Sequence, residues 1–171
     1  MEELDLYQVI LGYLNLLQKE NMKYKRKIGV VNKSEYGLPK YAKAGDSGMD
    51  VHANIKEPIT LKPLERTLIP TGLSVDIPSD DLEIQVRPRS GEALKKGLVV
   101  LNTPGTIDSS YTGEIGVIII NLSPKEVTIE PGERVAQIVL CGVEHFEWEP
   151  KEFIEKVTDR GATGYGSSGN K

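Results

Sequence analysis

Along the middle of the chain Leu82, Ile84 and Val86 alternate with Glu83, Gln85 and Arg87. That period of two predicts a strand with one face in a core and the other in water. Ile115 to Leu122 and Val135 to Leu140 are continuous apolar runs rich in β-branched residues, which predict strands covered on both faces. Shorter runs at Lys27 to Val31, Arg66 to Leu73, Lys125 to Ile129 and His145 to Trp148 predict further strands. The 17 glycines and 10 prolines among 171 residues lie above average usage and recur between these runs, favouring turns over long helices. Many short strands separated by such turns predict an all-β, jelly-roll-like barrel.

The first 26 residues follow a different period. Leu6, Val9, Ile10, Tyr13, Leu14 and Leu17 recur at helical spacing and form one stripe of an amphipathic helix. The stretch from Val9 to Leu17 is broken by Gly12 and Asn15 and is far shorter than the ~20 residues of a membrane span. Glu2, Glu3 and Asp5 precede it, the wrong charge for a secretory leader, so a cytoplasmic protein is expected. Lys19 to Lys27 carries five bases and one acid and reads as a solvated junction near the helix C-terminus, where cations are favoured. The apolar stripe requires a cover: the outer face of the protein's own assembly, a partner protein, or a membrane surface. At the other end, Arg160 to Lys171 is rich in glycine and hydroxyl side chains. It has little to bury, yet suits closure over a phosphate-bearing ligand. The chain therefore divides into a helical extension (1–26), one β domain (27–159) and a C-terminal arm (160–171).

Composition narrows the function. The single cysteine, Cys141, leaves no disulfide framework or cysteine-rich zinc site. A net charge of -4 lacks the basic field needed to follow a nucleic-acid backbone, whereas a small polyanion held by a few local groups fits. Pro88-Arg89-Ser90-Gly91 follows the alternating strand at a strand-to-turn junction where donors can converge on one anion. Asp108 lies in a loop between apolar runs, and Gly113-Glu114 after Tyr111 reads as a hairpin tip. Taken singly, each reads first as an ordinary turn.

Their order carries more. Five segments occur in sequence: Ala44-Gly45-Asp46-Ser47-Gly48-Met49-Asp50-Val51, Pro88-Arg89-Ser90-Gly91, Gly105-Thr106-Ile107-Asp108-Ser109-Ser110-Tyr111-Thr112-Gly113-Glu114, Gly132-Glu133-Arg134-Val135-Ala136-Gln137, and Arg160 to Gly169. Together they resemble the motifs of the trimeric dUTPase family, over about Ile28 to Lys171. The resemblance implies a β-clip barrel and hydrolysis of dUTP to dUMP and pyrophosphate by water attack on the α-phosphate. That reaction limits uracil in DNA and supplies dUMP for dTMP synthesis. It implies Asp108 as the base that activates water, and Asn102 with the backbone of Thr106, Ile107 and Gly116 on uracil in a rigid hairpin. Tyr111 would pack under the deoxyribose, where a ribose 2′-hydroxyl would clash. Arg89, Ser90, Gly91 and Gln137 would face the phosphates. Arg160, Ser167 and Ser168 would close the arm on the γ-phosphate, with Tyr165 over the base and Gly166 also binding substrate. Mg²⁺ would be held by triphosphate oxygens, with no direct protein ligand and with Asp50 reaching it through water. A homotrimer with shared active sites is implied.

Two positions depart from the family pattern: Ser110 stands where a second aspartate is common, and Tyr165 where a phenylalanine covers the base. The related dCTP deaminases need a glutamate three residues before an asparagine, and here Ile118 precedes Asn121. Isoleucine cannot move protons, which disfavours deaminase or bifunctional activity. A nucleotide-dependent regulatory role using the N-terminal helix to bind another protein is a reading from a different class.

Overall fold

The structure, a computed structural model, describes residues 10–12, 26–154 and 161. Most of the N-terminal helical prediction and of the C-terminal arm lies outside the described residues. The described elements are β1 (Gly29–Asn32), β2 (Met49–His52), β3 (Ile59–Leu61), β4 (Arg66–Asp76), β5 (Leu82–Arg87), α1 (Ser90–Lys96), β6 (Leu98–Val100), β7 (Gly105–Ile107), β8 (Glu114–Asn121), β9 (Val127–Ile129) and β10 (Arg134–Gly142).

Two antiparallel four-stranded sheets, ordered β1-β4-β8-β6 and β2-β10-β5-β7, share one apolar core, and β3-β9 forms a small third sheet. This is the predicted all-β, jelly-roll-like architecture. Alternation along β5 buries Leu82, Ile84 and Val86 while Glu83, Gln85 and Arg87 face outward. The continuous apolar run of β8 places Ile115, Val117 and Ile119 in the centre of the core, each almost wholly removed from water. Burying a side chain of this size stabilises the fold by roughly 1.5–3 kcal/mol.

The two buried polar residues among those described, Asn121 and Thr71, are both hydrogen-bonded. The Asn121 side chain donates to the carbonyls of Leu61 (2.9 Å) and Lys125 (2.7 Å) and accepts from the Ser123 amide (2.9 Å). It thereby ties β8 to the small sheet. Thr71 donates to Ile115 O at 2.6 Å.

Three expectations need correction. His145 to Trp148 forms no strand. The last ladder pair of β10 is Gly142 with Leu82, the first residue of β5, so the partner strand is exhausted there. Phe146 and Trp148 are 74% and 85% exposed and meet each other edge to face. The residues after Arg89 form α1 rather than a plain turn, ended by Gly97 at φ 70. A Cβ at Gly97 would fall 2.8 Å from the Ser123 amide, so glycine is required there on two counts. Finally, the expected rigid hairpin is kept at its base, where β6 and β8 pair antiparallel, but its middle strand pairs with the other sheet. β6 pairs with β8 in the first sheet while β7 pairs with β5 in the second. The chain crosses between sheets at 101–104, which includes a cis Thr103–Pro104 bond, and returns at 108–113.

Candidate active site

The end of β5 delivers Arg89 to the edge of the second sheet, and β2 and β10 bring its partners. Arg89 Nε donates to Asp50 Oδ1 at 3.0 Å, and Arg89 Nη1 donates to Glu92 Oε1 at 3.2 Å and to the Arg134 carbonyl at 2.8 Å. Arg134 Nη1 takes the other oxygen of Asp50 at 3.1 Å. Both Asp50 oxygens are therefore paired with guanidinium groups, and among the described residues Nη2 of Arg89 has no protein partner.

Gln137 lies opposite Asp50 on β2 and opposite Arg87 on β5, because β10 runs between those strands. Its amide donates to Pro88 O at 2.9 Å. A cleft lined by Ser90, Gln137, Thr103 and Pro104 opens beside it. A second cleft, lined by Ser47, Gly48, Asp50, Arg134 and Gln137, adjoins through the shared Gln137. Ser90 and Gly91 are exposed in the first turn of α1, and a Cβ at Gly91 would meet nothing within 4 Å.

Arg134 was not among the predicted site residues. A register irregularity between Arg134 and Ala136 lets consecutive Val135 and Ala136 both point inward, where they are 5% and 0% exposed. The bulge turns Arg134 outward toward Asp50. The sequence signal is the adjacent apolar pair at the start of the strand. Glu92, Lys96 and Glu133 were missed as well. Lys96 pairs with Glu92 Oε2 at 3.2 Å and with Glu133 Oε1.

The second group of predicted residues lies on the crossover. Thr106 and Ile107 sit on β7, opposite Gln85 and Ile84. Asn102 is exposed in the loop before β7, with its amide against Gly105, where an added Cβ would lie 3.2 Å from Nδ2. Asp108 follows β7 and is exposed, and its carboxylate has no hydrogen bond or ion pair among the described residues. Its carbonyl accepts from the Tyr111 amide at 3.0 Å, which closes the turn. Tyr111 is 44% exposed. Gly116 lies on β8 opposite Pro70.

The two groups are not joined by a polar contact within the described chain: none links Asp108 or Asn102 to Arg89, Ser90 or Gln137. Arg160, Tyr165, Gly166, Ser167 and Ser168 lie outside the described residues. Among the described residues there is no group of three or more His, Cys, Asp and Glu able to hold a metal ion. With both oxygens engaged by arginine, Asp50 does not fit as a direct metal ligand.

The dUTPase family model matches residues 34–169. The chain belongs to the dUTPase family. It is 53% identical over 145 residues to a deoxyuridine 5'-triphosphate nucleotidohydrolase of Fusobacterium nucleatum subsp. nucleatum, covering 85% of this chain and 98% of the relative. A protein of the same name from Cytophaga hutchinsonii is 50% identical over 155 residues, covering 90% of this chain and 97% of the relative. Among solved structures, a variant of the Staphylococcus bacteriophage 80alpha dUTPase with dUpNHpp superimposes with a TM-score of 0.73 at 27% identity, covering 85% of this chain and 99% of that one. The family match leaves out residues 1–33. Among the described residues no helix is long and apolar enough to cross a membrane.

Proposed function

We propose that this dUTPase-family chain hydrolyses dUTP to dUMP and pyrophosphate with Asp108 as the general base. The observation that carries the assignment is the exposed Asp108 carboxylate at the end of β7, without a partner among the described residues. Water is a weak nucleophile at neutral pH, and a fixed carboxylate within hydrogen-bond reach can remove its proton as it attacks the α-phosphorus. Uracil presents an N3–H donor between two carbonyls, and Asn102 with the backbone of Thr106, Ile107 and Gly116 offers groups to read that order. Cytosine would leave those groups unpaired, which is a strong basis for rejection. Tyr111 offers a ring face to the sugar.

On the phosphate side, Arg89 presents Nη2, and Ser90, the Gly91 amide and Gln137 supply neutral donors. These groups stabilise the charge that shifts onto the leaving pyrophosphate. Arg160, Ser167, Ser168, Gly166 and Tyr165 complete the enclosure from the arm, where the tyrosine keeps an aromatic face for the base. Mg²⁺ enters this reading with the triphosphate and supplies charge neutralisation there. The lack of a polar contact between the Asp108 loop and the Arg89 cluster among the described residues supports a homotrimer in which one subunit's group completes a site on another. Ile118 on β8 supports the hydrolase over a deaminase.

Pyrophosphate release with Mg²⁺ should be seen with dUTP and be at least about 10²-fold slower in kcat/KM with dCTP or UTP, the scale set by unpaired buried polar groups. Comparable turnover of either would overturn the base and sugar assignments. A trimeric mass in solution is the expected assembly, and a monomer with full activity would remove the shared site.

A further inference from the structure

We propose that Glu92 is a positioning residue that fixes the Arg89 guanidinium so that its Nη2 edge is the one presented to a substrate phosphate oxygen. The inference rests on the reading of Arg89 as a triphosphate contact.

Glu92 lies one helical turn after Arg89, the spacing at which side chains meet on one face. Its carboxylate takes Arg89 Nη1 on one oxygen at 3.2 Å and lies 3.2 Å from Lys96 Nζ on the other. Lys96 in turn pairs with Glu133 on the turn before β10. Next to Glu133 is Arg134, whose carbonyl accepts from the same Arg89 nitrogen at 2.8 Å. A closed polar circuit thus runs from Arg89 through Glu92, Lys96 and the 133–134 backbone and returns to Arg89.

Helix α1 buries no residue, so apolar packing does not hold it in place. The circuit ties it to β10. Glu92 is nonetheless only 16% exposed at its side chain, an unfavourable setting for a carboxylate without charged partners. Its partners are cationic on both sides. With Nε held by Asp50 and Nη1 held twice, the long arginine side chain is ordered before ligand arrives, so binding loses less rotamer freedom.

The test is a double-mutant cycle on the full chain with dUTP. Glu92→Ala is expected to lower kcat/KM by about 10-fold and Arg89→Ala by more, with the double variant no worse than Arg89→Ala alone, as residues acting through one another are non-additive. Glu92→Gln should recover most of the loss, because its amide oxygen still accepts from Nη1. Losses that multiply in the double variant, or full kcat/KM in Glu92→Ala, would overturn the proposal. If Arg89→Ala itself turns over dUTP normally, the triphosphate reading of Arg89 is what fails, and the proposal fails with it. Should Glu92→Ala not fold, Lys96→Met releases Glu92 without opening a hole. It is expected to give a smaller loss that vanishes in the Arg89→Ala background, and a loss that persists there would overturn the proposal.

Discussion

The Tyr111 hydroxyl donates to the carbonyl oxygen of Glu114 at 2.8 Å. The ring is thereby held across the turn from the last loop residues to the first residue of β8, with its hydroxyl engaged and its face open. Gly113 lies under this bond: a Cβ there would fall 2.5 Å from the hydroxyl oxygen.

From that contact, Gly113→Ala should displace the Tyr111 ring, whereas Tyr111→Phe should keep the ring and lose only one exposed hydrogen bond, about 1 kcal/mol or less. The ratio of kcat/KM for dUTP over UTP is expected to fall at least about 10-fold in Gly113→Ala and to change by less than about 3-fold in Tyr111→Phe. The opposite ranking would show that the hydroxyl, rather than the ring position, sets sugar selection.

Asp108→Asn keeps the size of the side chain and removes its basicity. Turnover of dUTP should drop by about 10²-fold or more with KM little changed, the scale of a lost general base. Because the carboxylate has no partner among the described residues, the melting temperature should stay near that of the parent. Near-normal kcat would assign water activation to another group.

Lys96 and Glu133 give the fold a pH dependence with a fixed sign. Burial by itself would lower the Lys96 pKa, but hydrogen bonds and charge from Glu133 and Glu92 outweigh it and hold the amine above the usual lysine range. Burial by itself would raise Glu133, and the Lys96 hydrogen bond, the Glu130 amide and the Lys96 charge outweigh it, holding the carboxyl below the usual glutamate range. A depressed carboxylate stabilises the native state above its unfolded pKa, and that contribution disappears as pH falls through the folded value. The raised amine contributes below its unfolded pKa and loses its contribution as pH climbs through the folded value. Thermal melts of the parent and Glu133→Gln should therefore differ most at neutral pH and converge in acid. A constant gap down to about pH 3 would contradict the pairing.

Asn121→Ala would strip three hydrogen bonds from a side chain that is wholly buried. The Leu61 carbonyl and the Ser123 amide would lose this partner, while the Lys125 carbonyl would keep the Ser123 hydroxyl, at a cost of about 2 kcal/mol. Urea unfolding should show a lower midpoint with little change in slope. An unchanged midpoint would mean that water replaces the amide.

The parts of the molecule legible in the sequence are those in which one side chain reports its own environment. The alternation of Leu82, Ile84 and Val86 gave β5 nearly to the residue, and the β-branched runs gave β8 and β10. Asp108, Asn102 and Tyr111 are proposed as site residues on motif order. What escaped depends on partners distant in sequence. β2, β3, β6 and β7 are three or four residues long, too short for a period to emerge, and they exist because β10, β9, β8 and β5 offer ladders. Helix α1 has no apolar face to announce it. Phe146 and Trp148 have strand-like composition but no remaining neighbour to pair with. Arg134 depends on a bulge, which shifts the outward face by one residue without changing composition.

Gln137 stands on a strand bonded along both edges, with Asp50 across one ladder and Arg87 across the other. A one-residue slip of β10 would carry Gln137 into the interior and expel Ala136 or Ile138. Gln137 therefore has no loose phase of its own. Amide exchange at Gln137 should occur only when the whole sheet opens, so the alignment of this one side chain and the global fold are lost in the same cooperative event.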